Sequence, residues 1–271
     1  MITVLGGTGT TGRRVTARLL ARGAGVRVGS RRGTPRFDWH ERATWGPVLA
    51  GTRSAYVAFH PDLALPGVPS LLGAFAAAAR AEGVEHLVLL SGRGEEGAAA
   101  AEEAVRASGP ALTVLRCNWF AQDFSEHFLL PAVRSGTLAL PAADAVEPFV
   151  DADDVADVAV EVLLGGRHRG AVLELSGPRP LSFADVAAEL TRASGHEVRY
   201  VPSTRDACAA ELVAQGLPAE LADLFALVLD GRNAAPTGDV ERVLGRPPRD
   251  FADYATATAA TGVWSPAPVA P

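Results

Sequence analysis

The chain has 271 residues, of which 48% are hydrophobic, and it carries a formal net charge of −6. Its length allows one large α/β domain or a domain with an appendage, and its apolar content is enough for a sizeable core. The acidic charge argues against a nucleic-acid partner, and no apolar run reaches the roughly 18 residues that a membrane span needs. We therefore expect a cytoplasmic protein without nucleic-acid or membrane partners, and the sequence leaves the oligomeric state open.

Missing residue types exclude several kinds of chemistry. All 25 basic residues are arginine, which excludes a Schiff-base lysine, a P-loop lysine and a Tyr-x-x-x-Lys catalytic pair. Arginine does not replace lysine in proton transfer because it stays protonated in proteins. Cys117 and Cys208 lack metal-ligand spacing and are interpreted as free thiols, and the six histidines form no metal-binding pair. We expect no metal site.

The first fourteen residues, MITVLGGTGTTGRR, predict a strand, a glycine turn and a helix. The glycines spell G-x-G-x-x-G, and apolar residues recur at helical spacing from Val15 onward. Glycine at this place allows a tight turn and a close approach of the backbone to a pyrophosphate, which the N-terminus of the helix attracts. The motif predicts dinucleotide binding through Gly6, Gly7, Thr8, Gly9, Thr10, Thr11 and Gly12.

The second predicted strand, residues 26–30, indicates which dinucleotide binds. It ends in Arg31 and Arg32, where an NAD-binding fold carries an acidic residue for the ribose hydroxyls. A pair of guanidinium groups suits a ribose 2′-phosphate, and Ser30 adds a hydroxyl donor. The pattern favours NADPH/NADP+ as the cofactor. The alternative is that both arginines belong to a solvated loop.

The segments that follow alternate between strand and helix patterns, which predicts an α/β, doubly wound parallel sheet of the Rossmann type. The predicted strands are 36–39, 54–59, 86–90, 112–116 and 171–175, and the predicted helices between them are 41–50, 70–82 and 95–107. A dinucleotide lies across the carboxyl ends of such strands. We therefore add five residues at these ends to the expected cofactor contacts, namely Asp38, Phe59, His60, Ser91 and Gly92.

Residues 117–124 change the character of the chain, because three aromatic and two amide side chains fall within eight residues. Aromatic walls with a few amides are typical of a small-molecule pocket. The alternative is that the aromatic rings pack a helix onto the sheet. On the first interpretation the expected substrate contacts are Asn118, Trp119, Phe120, Gln122 and Phe124.

The acidic run at 150–157 invites a metal-site interpretation, which we reject. Asp151 and Asp154 have the spacing of a capping box, and aspartates in a first helical turn complement the helix dipole. Consecutive aspartates at a helix start also point in different directions. The run predicts the beginning of a helix.

The remaining chain predicts a smaller lobe. A helix begins with Ser182 as its N-cap, a short strand covers 196–201, and two helices lie within 203–230. We expect a tail of poor order after Trp264, where proline and alanine dominate.

The resulting domain prediction has two parts. An NAD(P)-binding Rossmann domain covers 1–175 and includes a pocket segment at 117–135. A smaller substrate-binding lobe is made mostly of 176–271.

Seven stretches carry a family resemblance, and they are Gly6–Gly12, Ser30–Arg32, Phe37–Trp39, Leu89–Ser91, Trp119–Phe124, Pro148–Ala156 and Val240–Pro248. With them the chain resembles the NmrA-like, atypical short-chain dehydrogenase/reductase family. Within it the chain is most similar to the ergot-alkaloid reductase (agroclavine dehydrogenase-like) branch and its bacterial relatives. The likeness covers roughly residues 1–255. The glycine turn is common to many families, and the last two stretches are more particular.

The resemblance implies a cytosolic NAD(P)-binding fold, often with NADPH-dependent reduction of a small substrate that has a C=N, C=C or quinone-type group. It also implies that the loop after Ser91 and the segment 117–124 border the nicotinamide. Arg93 from that loop and Phe149 from the shared stretch join the expected substrate contacts.

The resemblance does not supply a catalytic residue. Relatives often carry a lysine or histidine in the helix after Ser91, whereas this chain has Ala99–Glu103. We interpret Glu102 and Glu103 as solvated charges on that helix. The proton donor of a reduction would be water, Ser91, His60 or a group of the substrate.

Three functions are compatible with these patterns. The first is an NADPH-dependent reductase of a small organic molecule, plausible in the biosynthesis of a secondary metabolite. The second is a regulator that senses NADP(H) without turnover, and the third is a non-redox isomerase or cyclase on a nucleotide-binding fold. The aromatic segment at 117–124 favours the reductase, since a sensor does not need a furnished pocket.

Overall fold

A computed structural model of the protein describes residues 1–265, so the expected tail after Trp264 lies almost entirely outside the described residues. Its strands are β1 (Ile2–Leu5), β2 (Val26–Gly29), β3 (Ser54–Val57), β4 (His86–Gly92), β5 (Ala111–Cys117), β6 (Thr137–Leu140), β7 (Val146–Glu147), β8 (Val172–Leu175), β9 (Leu181–Ser182) and β10 (Arg199–Pro202). Its α-helices are α1 (Thr10–Ala21), α2 (Trp45–Leu49), α3 (Val68–Ala81), α4 (Glu96–Ser108), α5 (Asp123–Glu126), α6 (Leu130–Ser135), α7 (Ala152–Gly165), α8 (Phe183–Ser194), α9 (Arg205–Ala214), α10 (Leu221–Val228), α11 (Asp239–Leu244) and α12 (Phe251–Ala259). Within the described range, none of these helices has the length and apolar character that crossing a membrane requires.

The main sheet has six parallel strands in the order β2-β1-β3-β4-β5-β8. Strands of a parallel sheet that is covered on both faces are apolar along their whole length. β3 is covered on both faces in this way, since all four of its residues are buried, although it begins with the polar Ser54. The order reverses direction after β1, as it does in a doubly wound fold. The predicted fold class is confirmed.

One predicted strand does not form. Residues 36–39 make a single bridge between Ser30 and Arg36, and then the chain turns. The turn is fixed by Asp38, whose side chain accepts a hydrogen bond from the backbone N–H of His40 and whose carbonyl accepts one from the indole of Trp45. These local hydrogen bonds compete with a strand ladder and prevail here.

Two of the element boundaries that differ from their predictions have local reasons. Helix α3 begins two residues early, because Gly67 before it takes a left-handed φ of 83° and Pro69 occupies the first turn, where proline costs no hydrogen bond. The last strand begins at Arg199 and not at 196, because the ring of His196 binds the carbonyl of Val133 and holds a turn.

The chain forms two compact units. The first contains Met1–Cys117, Ala152–Leu175 and Asp239–Arg246, and the second contains Asn118–Asp151, Ser176–Gly238 and the described residues from Pro247 onward. A single boundary after residue 175 therefore does not describe the path of the chain.

Helix α11 belongs to the first unit for a visible reason. The Asp239 carboxylate accepts a hydrogen bond from the backbone N–H of Glu174 in β8, at 2.8 Å, and Arg246 forms an ion pair with Asp154 in α7. Hydrogen bonds to charged groups are stronger than neutral ones. The contacts of Asp239 and Arg246 therefore attach the segment 239–246, which lies far along the sequence, to the sheet and helices of this unit.

The second unit has an aromatic core of its own. Phe124 is in contact with the rings of Phe149 and Phe251 at 5.6 Å in each case, mostly edge to face, an arrangement that aromatic quadrupoles favour. The indole of Trp264 donates a hydrogen bond to the Phe124 carbonyl at 2.8 Å. At the start of α8, Ser182 forms the predicted cap.

Candidate active site at the carboxyl edge of the first unit

The turn between β1 and α1 accepts only glycine at its closest point. A Cβ on Gly12 would lie 2.8 Å from the Cα of Gly7 and would meet the Gly6 carbonyl even more closely. Gly6 itself has a φ of +70°, and a Cβ there would lie 2.9 Å from the carbonyl oxygen of Ala58. The motif is therefore needed by the turn itself, independently of any ligand.

The same turn has the features that a diphosphate needs. Gly9 is the N-cap of α1, and within residues 1–265 no side chain caps this helix start. Thr8 and Gly9 are exposed, and the first turn contains no acidic residue that would repel an anion. The start of the helix and the positive end of its dipole thus lie at an exposed turn that no described side chain caps. Thr10 and Thr11 are buried behind them. The residues present fit a dinucleotide pyrophosphate.

Arg31 and Arg32 follow directly after β2 and are both exposed. In the part of the chain that the structure describes, neither guanidinium forms a hydrogen bond or an ion pair, although arginines elsewhere in the chain pair widely with carboxylates. Ser30 is half-buried beside them, and its carbonyl accepts from Phe37 N. Two free guanidinium groups near a predicted ribose position are what a 2′-phosphate requires.

The aromatic side chains next to Asp38 form a packed wall. Trp39 and Phe59 are half-buried with their rings 5.4 Å apart, and Trp39 also packs edge to face on Phe75 at 5.0 Å. Phe59 stands just beyond the end of β3. The Asp38 carboxylate accepts hydrogen bonds from the backbone N–H of His40 and from Arg36. A ribose contact through Asp38 stays a prediction.

His60 follows Phe59 and is exposed at this edge. Partial desolvation and the neighbouring Arg31 guanidinium lower the pKa of His60, and Asp62 opposes them. A histidine with a lowered pKa holds its proton less readily near neutral pH. His60 is therefore less suited to the role of proton donor, for which it was one of four candidates.

A buried polar group lies where β4 ends. Ser91 Oγ donates a 2.6 Å hydrogen bond to Glu102 of α4, and Arg116 of β5 binds the same carboxylate through two of its nitrogens, with its Nη2 at 2.6 Å. Glu102 is only 3% exposed. The interpretation of Glu102 as a solvated charge is wrong, because helical periodicity turns this residue toward the sheet. Glu103 is exposed, as predicted.

Two acidic residues at the same edge, Asp62 and Glu95, were not predicted from the sequence. Asp62 lies in the loop after β3, and Glu95 lies in the loop after β4, just before α4. Burial is the main cause that raises the pKa of both groups, with Glu95 reaching about 8, and the two carboxyl groups interact with each other. The sequence signal that could have found Glu95 is its place three residues after Gly92, at the end of a central strand.

Arg93 does not present a free charge in this edge. Its Nε binds Glu174 of β8 at 3.0 Å, and its backbone N–H donates to the Cys117 carbonyl. Its side chain is only 14% exposed. The expectation of a substrate contact through Arg93 stays a prediction.

The aromatic segment predicted to contact substrate divides into two kinds of residue, all within the second unit. Trp119 and Phe120 are half-buried, and the Trp119 ring packs on Phe225 at 4.8 Å. Phe124 and Phe149 are at most 2% exposed and belong to the aromatic core. These two rings pack against each other in that core, and a substrate contact through either of them stays a prediction.

The two amides of this segment are buried and engaged. Asn118 Nδ2 donates to the Glu147 carboxylate at 2.6 Å and to the Asn233 carbonyl at 3.3 Å. Gln122 Nε2 donates to Asp151 at 2.9 Å. These hydrogen bonds fix the backbone on either side of the half-buried aromatic rings.

The acidic run at the start of α7 is neutralised by arginines. Asp157 binds both Arg18 of α1 and Arg246, the latter at 2.7 Å, and the fully buried Asp154 also binds Arg246. No group of three or more His, Cys, Asp or Glu side chains with metal-binding geometry occurs among the described residues. The carboxylates serve to attach helices to each other.

No family model matches the chain. Known proteins do match it along nearly its whole length. It is 32% identical over 286 residues to an NAD(P)H azoreductase of Xenophilus azovorans, with 96% of this chain and 98% of the relative covered. It is 30% identical over 275 residues to the agroclavine dehydrogenase of Claviceps fusiformis, with 93% and 95% covered.

A solved structure shares the fold. The NADPH-dependent quinone oxidoreductase QOR2 of Escherichia coli, solved with NADPH, superimposes with a TM-score of 0.79 at 22% identity, and 95% of this chain and 99% of that chain are covered. Fold and glycine turn define an NAD(P)-binding α/β oxidoreductase fold. The chain belongs to the NmrA-like, atypical short-chain dehydrogenase/reductase family, which confirms the resemblance.

Proposed function

We propose that the protein is an NADPH-dependent reductase of a small organic substrate with an imine, enone or quinone-like group. The observation that carries the cofactor part is the unpaired pair Arg31 and Arg32, at the carboxyl edge that also holds the glycine turn. The azoreductase relative is named for NAD(P)H, and the quinone oxidoreductase structure holds NADPH. Both support NADP(H) here.

The cofactor would supply the hydride, and the residues of the chain would hold it. The N-terminus of α1 and the turn at 6–12 would bind the diphosphate, and the two arginines would bind the 2′-phosphate. Phe59 and Trp39 would pack against the adenine side. Orientation of this kind lowers the entropic part of the barrier.

The relatives and the second unit support the proposed substrate class. The relatives are named as azoreductase, agroclavine dehydrogenase and quinone oxidoreductase, which supports an unsaturated organic acceptor. Trp119 and Phe120 are our proposed apolar contacts, and Asn118 and Gln122 hold their backbone in place. Phe124 and Phe149 support these contacts from the core.

The test is NADPH oxidation against a panel of quinones, enones and cyclic imines, with Arg31→Ala and the matched control Arg80→Ala. Arg80 is also exposed and lies in α3. We expect turnover with at least one acceptor class, a raised KM for NADPH in Arg31→Ala and an unchanged KM in Arg80→Ala. Tight binding of both NADPH and NADP+ without turnover on any acceptor would instead indicate a sensor.

A further inference from the structure

The side chain of Glu95 occupies an unusual place at the end of β4. The residue is the N-cap of α4, but it has an extended backbone and does not cap the helix with its side chain. Its carboxylate folds back onto Gly92, so closely that a Cβ on Gly92 would collide with the carboxylate carbon and both its oxygens. Gly92 thus leaves open the space that this carboxyl group fills.

Glu95 has no arginine partner. Among residues 1–265 its carboxyl group forms no ion pair and no hydrogen bond, in a chain whose acidic side chains are often paired. The titratable groups that influence it are Asp62 from the loop after β3 and Glu102 from α4, while Glu95 in turn acts on the Cys117 thiol of β5. A half-buried carboxyl group among other acids, without a cation, favours its protonated form.

The other candidates at this edge are poor donors. The Ser91 hydroxyl already donates its hydrogen bond to Glu102, so its oxygen can only accept a further hydrogen bond. The pKa of His60 is lowered, as described above. In the second unit, burial raises the pKa of Asp123 to about 7, and this residue is the rival that an experiment must exclude.

We propose that Glu95 is the catalytic proton donor of the reduction. The inference rests on the proposed function. The substrate double bond gains a hydride from NADPH at one atom, and its electron pair moves to the other atom. The O–H bond of Glu95 breaks as its proton moves to that second atom, and the resulting carboxylate takes a proton from water. NADP+ and the reduced substrate are the products.

The first experiment needs neither cofactor nor substrate. Infrared difference spectra of the ligand-free protein are recorded across a pH titration for the wild type, Glu95→Gln and the exposed neighbour Glu96→Gln. We expect the carbonyl band of a protonated carboxyl group that disappears near pH 8 in the wild type and in Glu96→Gln. The band that disappears near pH 8 is absent in Glu95→Gln, which keeps the band of Asp123 that disappears near pH 7. The same carboxyl bands above about pH 6 in the wild type and in Glu95→Gln would overturn the proposal.

The second experiment measures turnover with a quinone that the wild type reduces. Glu95→Gln is expected to lower kcat by roughly 10²–10⁴-fold and to remove the decline of kcat on the basic side, with the Kd of NADPH unchanged. Asp62→Asn is expected to shift that decline to lower pH, because the Asp62 charge raises the pKa of Glu95. Asp123→Asn is expected to keep the wild-type profile.

The outcomes separate the two proposals. A wild type that neither binds NADPH nor reduces any acceptor contradicts the proposed function and leaves the infrared result to decide the state of Glu95. A wild type that turns over while Glu95→Gln turns over equally well contradicts the role of Glu95 alone. Loss of the basic decline in Asp123→Asn, and not in Glu95→Gln, would assign the proton to Asp123.

Discussion

Ser91 Oγ lies 2.6 Å from a carboxylate oxygen of Glu102 and donates its proton to it, so that the end of a central strand is tied to the helix that follows. The same carboxylate holds Arg116 of the next strand. Because Ser91 and Arg116 are cross-strand neighbours in the parallel ladder, Glu102 connects two strands and one helix at the edge where the cofactor is proposed to bind.

Glu102→Gln should destabilise the protein. The amide leaves the half-buried Arg116 guanidinium without its anionic partner, which costs about 1–3 kcal/mol of the free energy of unfolding. Urea denaturation measures it, with Glu103→Gln as the control on the exposed face of the same helix, where we expect a change under about 0.5 kcal/mol. Equal effects of the two substitutions would contradict the structural role of Glu102.

Gly12→Ala should damage both the turn and dinucleotide binding. The added Cβ has no space against Gly6 and Gly7, so the backbone must move. We expect this shift to lower the free energy of unfolding by about 1–3 kcal/mol. Gly165→Ala is the matched control, because a Cβ there meets nothing within 4 Å. Thermal unfolding with and without NADPH should show a lower midpoint and a smaller shift by NADPH for Gly12→Ala only.

The free energy of unfolding should fall between pH 5 and 8 through Glu95. Burial raises the pKa of this carboxyl group from 4.5 to about 8 in the folded protein. In this interval the folded state keeps a proton that the unfolded chain has lost, so stability declines as the pH rises. Glu95→Gln lacks this ionisation, and its unfolding free energy should decline less steeply than that of the wild type in urea titrations. Parallel slopes in the two proteins would exclude the raised pKa.

Chelators should not affect the acidic start of α7. Asp154 is fully buried with Arg246 at 2.7 Å, and arginine already supplies its positive charge. We expect no change of the thermal midpoint with EDTA or with added Mg²⁺. Asp154→Asn should lower the free energy of unfolding by about 1–3 kcal/mol. Glu161→Gln, which breaks an exposed ion pair, should lower it by less than about 1 kcal/mol. A midpoint that falls with EDTA would show that these carboxylates bind a metal after all.

The fold could be predicted from the sequence because its signals are local. The glycine turn and the alternation of apolar strands with helices determine a doubly wound sheet. The five strands of this sheet that were predicted with bounds lie within two residues of their observed ends at both termini. The strand predicted at 36–39 failed because the hydrogen bonds of Asp38 to the backbone are not visible in a hydrophobic pattern.

The site was less predictable because its chemistry depends on distant pairs. The charge on Glu102 looks like many solvated helix charges, and only the register between β4 and β5 brings Arg116 to it. Glu95 carries no motif, and its environment is set by Gly92 and by Asp62 from another loop. The division of the chain into two units also follows contacts of Asp239 and Arg246 that no composition shift marks.

Calorimetric titration of the protein with NADPH and NADH tests the central claim most directly. We predict that NADPH binds more tightly than NADH by roughly 10- to 100-fold, because charge-assisted hydrogen bonds to a phosphate contribute about this much to affinity. The double substitution of Arg31 and Arg32 by alanine should remove this difference. Indifference of the wild-type protein to both dinucleotides, or an equal preference for NADPH after both arginines are removed, would contradict the account.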